Sequence, residues 1–323
     1  MTDIDILVLR RGTHGIPARE YVDALEDRLP DRRIELATTP REERDLAEQA
    51  RVITSTDIDL DLLERAAALE VFAGVAAGYG HLPLEELAER GVAVTNASGI
   101  HAPNIAEQVL AYVLAHTRNL RTGYERQAQR EWRHFQAGEL QGSTVTVVGL
   151  GAIGTAIAER LEPFGVETIG VRYTPEKGGP TDEVIGFDAD ALHEALARTD
   201  YLLIAAPLTE TTRGLIGEAE LETLPPDAYL VNVGRGPIVE TDALVTALRK
   251  GHLDGAALDV TDPEPLPEDH PLWNLGNVTI TPHNAGHSPK LWDRLADIVA
   301  ENVRKLDDGA DPEALTNLVR APE

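Results

Sequence analysis

Short apolar runs alternate with longer amphipathic stretches along almost the whole chain. Residues 4–9 read as a buried strand, and 17–29 follow as an amphipathic helix with Pro17 near its first turn, where a missing N–H is tolerated. Residues 51–54 and 70–73 read as short strands around a helix over 60–68, and 92–95 form a further strand ending at Asn96. A long helical pattern over 104–116 places Ile105, Val109, Tyr112 and Val113 on one side, and the segment 117–141 is polar. A second series of strands then runs through 143–148, 167–171, 200–205, 229–233, 255–258 and 277–281, before a last helix over 289–307. Strands alternating with helices predict the α/β class with parallel sheets, here two units joined by long helices. There is no short-period repeat and no low-complexity tract.

Composition narrows the function. The chain has 323 residues, 42% of them apolar, enough for two cores and incompatible with a disordered chain. Its net charge of −26 excludes the basic face that nucleic-acid or anionic-membrane binding needs. It has no cysteine, so disulfides, thiolate metal sites and a cysteine nucleophile are excluded. The N-terminal stretch lacks the basic head and apolar core of a signal peptide, and no apolar run approaches the ~18 residues of a membrane span. These features predict a soluble, cytoplasmic protein. Four lysines (Lys177, Lys250, Lys290, Lys305) stand against 25 arginines, and acidic clusters are spread along the chain. This composition resembles that of proteins from salt-loving archaea, where ~1 M salt shortens the Debye length to about 3 Å and screens self-repulsion. A merely acidic mesophilic enzyme is the plain alternative.

Gly149-Leu150-Gly151-Ala152-Ile153-Gly154 follows the strand 143–148 and opens a helix predicted over 155–162. In that context G-x-G-x-x-G is a dinucleotide-binding loop. Gly149 permits the tight turn, Gly151 lets a pyrophosphate approach the backbone, and Gly154 allows helix and strand to pack closely. The helix start then offers free N–H groups and a positive dipole to phosphate. About 20 residues on, an NAD site ends its second strand with an acid. Here Arg172 stands there, in the run Arg172-Tyr173-Thr174 with Lys177 close by. A guanidinium binds a 2′-phosphate where a carboxylate repels it, so the expectation is NADP(H), with NAD(H) as the lesser cofactor.

Three further strand ends carry polar residues: Asn232-Val233-Gly234-Arg235-Gly236, then Leu258-Asp259 through Glu264-Pro265, then Thr281-Pro282-His283-Asn284. Ligands of open α/β sheets bind beyond the carboxyl ends of strands. Hydride transfer to a 2-keto acid needs a cation for the carboxylate and ketone, an acid for the developing alkoxide, and a partner that tunes the acid. Arg235, His283 and Glu264 fit these roles in that order. Taken singly, they read equally as a surface ion pair, a structural cap and a solvated loop charge.

Along nearly its full length the chain resembles the D-isomer-specific 2-hydroxyacid dehydrogenases. The resemblance is carried by Ala106-Glu107, GLGAIG, Pro207-Leu208-Thr209, NVGRG, LDVTDPEPLP, HPLW and the TPH-N-A-G run from Thr281. It implies two Rossmann-like domains, flavodoxin-like plus dinucleotide-binding, with parallel sheets and linking helices. Residues 1–100 and 288–323 would form the substrate-binding domain and 101–287 the nicotinamide dinucleotide-binding domain. It implies the Arg235–Glu264–His283 triad, cofactor contacts from Pro207, Thr212, Val233, Gly234 and Asp259, and a homodimer. Substrate would be held by Arg235, His283 and the backbone of Ala77 and Gly78. Two departures stand out: Arg172 replaces an acid, and the loop from Ala76 to His81 differs from that of many relatives. His81 and His101 read as structural residues that could also touch substrate, and no histidine spacing suggests a metal site.

The implied reaction is reversible reduction of 2-keto acids to D-2-hydroxy acids. A non-catalytic nicotinamide sensor or corepressor on the same fold is the alternative from another class. Within enzymes, glyoxylate/hydroxypyruvate, 3-phosphoglycerate and phosphonate dehydrogenases are the other candidates; formate oxidation is disfavoured because Glu264 stands where a glutamine is expected. Apolar Ala76, Ala77, Tyr79 and Leu82 lean toward aliphatic or branched keto acids over glyoxylate.

Overall fold

The computed structural model describes residues 4–13 and 15–323, so residues 1–3 and His14 of the expected first domain lie outside it. The chain divides into two compact units, one of residues 1–100 with 287–323 and one of residues 101–286. Both are α/β with parallel-dominated sheets, as the alternating pattern predicts.

The first unit contains strands β1 (Ile4–Val8), β2 (Ile34–Leu36), β3 (Ala50–Ser55), β4 (Val71–Gly74) and β5 (Ala93–Thr95). With the C-terminal strand Leu318–Arg320 the sheet order is C-terminal strand, β5, β4, β3, β1, β2; only the C-terminal strand runs antiparallel. Its strands read as near-continuous apolar runs because both faces are covered. On one face Ile6, Val8, Val52 and Val71 meet Tyr21 and Leu25 of helix Ala18–Arg28 and Trp292, Leu295 and Val299 of helix Leu291–Asp307. On the other, Leu7, Ile53, Phe72 and Val94 meet Leu62, Leu63 and Leu87.

The second unit contains β6 (Thr144–Val148), β7 (Glu167–Val171), β8 (Glu183–Ile185), β9 (Tyr201–Ile204), β10 (Tyr229–Asn232), β11 (Gly255–Leu258) and β12 (Val278–Ile280). The order is β12, β11, β10, β9, β6, β7, β8, and every pairing is parallel. The chain leaves β6 toward β7 and later returns to β9 on its other side. The crevice for a ligand therefore opens at the carboxyl ends of β6 and β9. One face is covered by helix Ala102–Thr117, whose Ala106, Val109 and Val113 pack with Ala156 and Ile157 of helix Ala152–Leu161.

Several expected boundaries are corrected. The helix after the glycine loop starts at Ala152, with Gly151 as its N-cap, rather than at residue 155. The polar segment 117–141 holds a helix, Leu120–Ala128, none of whose residues is buried, so its sequence shows no apolar stripe. β2, β8 and the helices Pro40–Ala47 and Leu84–Glu89 fall where no element is expected. Among the described residues no helix is long and apolar enough to cross a membrane.

Near the amino ends of β9, β10 and β11, His116 stacks on Tyr229 with ring centroids 3.8 Å apart, and its Nε2 lies 3.3 Å from Asp254. Burial holds the imidazole below its ordinary value against the opposite pull of Asp254. The neutral ring is therefore favoured in the fold. Its contribution is fully present above the ordinary imidazole value and is lost as pH falls from there through the depressed folded value. His116→Phe keeps the stack without the titration. Its unfolding free energy is expected to fall less than that of the unaltered chain between about pH 7 and about pH 5. Equal losses in denaturant titrations would refute this.

Candidate active site

Each glycine of the loop after β6 has its own steric reason. Gly149 has φ +97°, and a Cβ there would stand 2.6 Å from the Ala206 Cα at the end of β9. A Cβ on Gly154 would fall 1.8 Å from the Gly149 carbonyl oxygen, so only glycine lets the helix start beside the strand end. A Cβ on Gly151 would meet nothing within 4 Å. Close backbone packing at the first and third glycines with open space at the second is what a pyrophosphate requires. The helix begins there, so the first-turn N–H groups of Ala152, Ile153 and Gly154 lack intrahelical acceptors and point a positive dipole end at that space.

A cavity of about 310 Å³ lies beside the loop, lined by Gly149, Gly151, Arg172, Tyr173, Thr174, Lys177, Pro207 and Thr212. Leu150, Phe187, Thr209 and Thr211 line it as well and are additions to the residues expected from sequence. The repeated threonines after Pro207 were the available signal for two of them. Thr212 is buried, and its hydroxyl donates to the Pro207 carbonyl (2.6 Å) while accepting from the Thr209 N–H (2.8 Å). It shapes the 207–212 turn, and its hydroxyl is committed there. The Arg172 guanidinium donates to the Gly178 carbonyl, and among the described residues neither Arg172 nor Lys177 forms an ion pair with a carboxylate. These features fit a nicotinamide dinucleotide, with cations where the adenosine ribose end would lie.

The remaining strand ends hold Arg235, Glu264 and His283, the residues expected from sequence to react. After β10, Gly234 passes so close to the Ala206 carbonyl that a Cβ would stand 2.7 Å from its oxygen. Two residues on, a Cβ at Gly236 would fall 2.0 Å from the Thr261 carbonyl oxygen. Gly236 thus lets the Arg235 loop press against the loop carrying Glu264, a contact reinforced by Thr241 Oγ1 donating to the Asp262 carbonyl (2.9 Å). Arg235 is exposed and its Nη1 donates to the Gly234 carbonyl (2.6 Å). After β12, His283 Nδ1 lies 2.6 Å from Glu264 Oε1, and both side chains are about half exposed. An exposed ion pair is worth about 0–1 kcal/mol, so this one is not a stability device.

His283 has φ +51°, an uncommon conformation for a residue with a Cβ. Asp259, buried at the end of β11, holds it there. Its carboxylate accepts from Asn284 N–H (2.8 Å), Ala285 N–H (2.9 Å) and the Thr281 hydroxyl, and its carbonyl accepts from His283 N–H (2.8 Å). Val233, Gly234 and Asp259 line no part of the 310 Å³ cavity and belong instead to this cluster of strand ends.

Residues of the loop after β4 belong to the first unit. Ala77 and Gly78 are exposed there. Leu82 is buried in that unit's core beside Phe72 and Leu87. His81 Nε2 is bonded to the Thr56 carbonyl (2.7 Å), and His101 Nδ1 to the Gly286 carbonyl (2.8 Å), so both serve the backbone. Among the described residues no cluster of histidine and carboxylate groups could hold a metal ion.

Residues 110–285 match the family model described as "D-isomer specific 2-hydroxyacid dehydrogenase, NAD binding domain". The glyoxylate reductase of Thermofilum pendens is 37% identical over 270 residues, covering 80% of this chain and 78% of that protein. The chain belongs to the D-isomer specific 2-hydroxyacid dehydrogenase family. It is accordingly an oxidoreductase with a nicotinamide cofactor. A D-isomer specific 2-hydroxyacid dehydrogenase family protein from Aeromonas salmonicida superposes with a TM-score of 0.81 at 31% identity, covering 98% of each chain. A D-isomer specific 2-hydroxyacid dehydrogenase from Xanthobacter autotrophicus, solved with NADPH and MES, does so with a TM-score of 0.78 at 29% identity, again over 98% of each.

Because the two loops touch through Gly236, Gly236→Ala is expected to displace Arg235 and lower turnover by roughly 100-fold, with cofactor affinity within about twofold. Unchanged turnover on a 2-keto acid would refute the contact's importance.

Proposed function

We propose that the chain reversibly reduces 2-keto acids to D-2-hydroxy acids, with NADPH preferred to NADH. The observation that carries this reading is the 2.6 Å hydrogen bond between His283 and Glu264 among the strand ends next to the dinucleotide cradle. The nicotinamide, when bound, supplies a hydride to the keto carbon. Arg235 grips the substrate carboxylate and polarises the ketone with its planar fork of donors. Nδ1–H of His283 donates to Glu264, which fixes the ring and leaves Nε2 to deliver the proton to the oxygen that becomes the hydroxyl. In the reverse direction Nε2 accepts that proton. Backbone N–H groups of Ala77 and Gly78 are assigned to the substrate carboxylate by the family resemblance.

The NADPH preference is supported by Arg172 and Lys177, cations that line the cavity and have no carboxylate partner among the described residues. A substrate with a short side chain is supported by the likeness to a glyoxylate reductase. The acidic surface with its excess of arginine supports work in concentrated salt inside the cell, in the manner of haloarchaeal proteins. The resemblance supports a homodimer.

Initial rates in concentrated potassium chloride, with either cofactor and a panel of keto acids including glyoxylate, test the activity; cofactor binding with no turnover on any acid would favour a sensor. His283→Ala is expected to lower turnover at least about 100-fold while leaving NADPH affinity within about twofold, and intact turnover would remove His283 from the mechanism. Arg172→Asp is expected to shift the kcat/KM ratio from NADPH toward NADH by more than about tenfold, as loss of a charge-assisted pair implies. An unmoved ratio would make Arg172 an ordinary surface cation.

A further inference from the structure

The turn that carries His283 is fastened from helix Ala102–Thr117 as well as from β11. At the start of that helix, His101 and Asn104 bind the carbonyls of Gly286 (2.8 Å) and Ala285 (2.7 Å). Further along it, the Tyr112 hydroxyl lies 2.5 Å from Thr281 Oγ1. Proton bookkeeping fixes the direction of this chain. The single hydroxyl hydrogen of Thr281 goes to Asp259 Oδ1. Thr281 Oγ1 can then only accept from Tyr112. Burial raises the Tyr112 phenol above its ordinary value, which keeps it a donor at every pH of interest. All the donors thus run one way, and each polarises the next toward the carboxylate that holds the N–H groups of Asn284 and Ala285.

We infer that Tyr112 is a positioning residue for catalysis: through Thr281 and Asp259 it holds the His283 turn in its left-handed conformation, so that Nε2 faces substrate. Among the described residues Tyr112 has no hydrogen bond to Glu264 or Arg235, and it does not line the dinucleotide cavity. The hydrogen bond it supplies is not needed to pack the helix, because its ring already lies in the apolar cluster with Val109 and Val113. Phenylalanine would keep that packing and remove only the donor. This inference rests on His283 being the acid.

The test compares Tyr112→Phe, Thr281→Val and the double variant, with kcat, the keto-acid KM and the pH profile of kcat measured beside NADPH affinity. Tyr112→Phe is expected to lower kcat about threefold to tenfold, the rate equivalent of one net hydrogen bond, with KM and NADPH affinity within about twofold. The limb of the kcat profile that reports the catalytic acid should move in the same variant. Thr281→Val should lose at least as much, and adding Tyr112→Phe to it should cost nothing further, because the chain is already cut. A Tyr112→Phe enzyme with the parent's kcat and pH profile, whether or not its Tm falls, overturns the inference, as do losses that multiply in the double variant. If Tyr112→Phe does not fold, Thr281→Ser against Thr281→Val decides the same question, since only serine keeps the linking hydroxyl; equal kcat values for the two overturn it. Failure of the premise is separable: His283→Ala would then retain turnover, whereas failure of the inference alone leaves His283→Ala inactive.

Discussion

The carboxylate of Asp259 is buried at the end of β11, and no ion pair with a cation balances it among the described residues. It is held by the Thr281 hydroxyl and two backbone N–H groups, bonds to a charged acceptor that are each worth about 1.5–3 kcal/mol. Leaving those donors without their acceptor would expose the full desolvation cost of buried polar groups, so the turn from Thr281 to Ala285 has one low-energy arrangement. That arrangement includes the left-handed backbone of His283, a conformation costing about 1–3 kcal/mol that the exposed contact with Glu264 is too weak to maintain. The histidine is therefore placed from below, by a buried side chain outside the His283–Glu264 pair. The neighbouring loop is placed by exclusion instead: Gly236 lies where any side chain would enter the Thr261 carbonyl. Attraction at one strand end and contact distance at the next set where His283, Glu264 and Arg235 can stand.

The charge on the rest of the chain is managed differently. In the first unit Arg19, Arg28, Arg32, Arg51 and Arg320 each reach two carboxylates: Asp23 and Glu26, Asp293 and Asp297, Asp5 and Asp307, Glu70 and Asp307, Glu85 and Glu323. A planar fork of five donors can serve two acids at once, and a lysine ammonium on a flexible stem does so less well. With almost twice as many acids as bases in the chain, that geometry explains why arginine so outnumbers lysine. Single exposed pairs contribute little, but Asp307 joins Arg32 and Arg51 in one network, which ties the end of helix Leu291–Asp307 to β3 and to the segment after the first helix.

Elements with a dense apolar signal were legible in the sequence, and elements whose stability comes from partners were not. β7 and β11 fall on the residues that their apolar runs indicate, Glu167–Val171 and Gly255–Leu258, because every residue but Glu167 is buried. β2 is three residues long, half-buried and at the sheet edge, so its pattern is too short to read. Helix Pro40–Ala47 buries only Ala47; its readable signal was the cap, with Thr39 accepting from the Glu42 N–H and Pro40 in the first turn. In the site, the glycine loop and the polar strand ends could be found because chemistry constrains residue type at fixed spacing. The closeness of Gly236 to Thr261, the commitment of the Thr212 hydroxyl to its own turn and the burial of Leu82 could not. Each depends on a fold that brings backbone from another segment within contact distance, and no local period encodes that.

The distribution of pairing also bears on the proposed cofactor preference. In a chain this acidic, many surface arginines find a carboxylate within reach, as the doubly engaged arginines of the first unit do. Arg172 instead donates to a carbonyl, that of Gly178, across a turn whose glycine has φ +62°. A neutral acceptor orients the guanidinium without cancelling its charge, so the field it projects into the cavity beside Gly149 and Gly151 is that of a full cation. Lys177 on the same turn adds a second. Two positive charges in one place, neither with a carboxylate partner among the described residues, favour a doubly charged phosphate, and the cost of maintaining them is small because both remain near water. An NAD site would gain from the opposite arrangement, a carboxylate bonded to both ribose hydroxyls, and acidic residues are the commonest charged groups this chain has to offer. The arginine at the end of β7 is thus a departure from the usual NAD pattern.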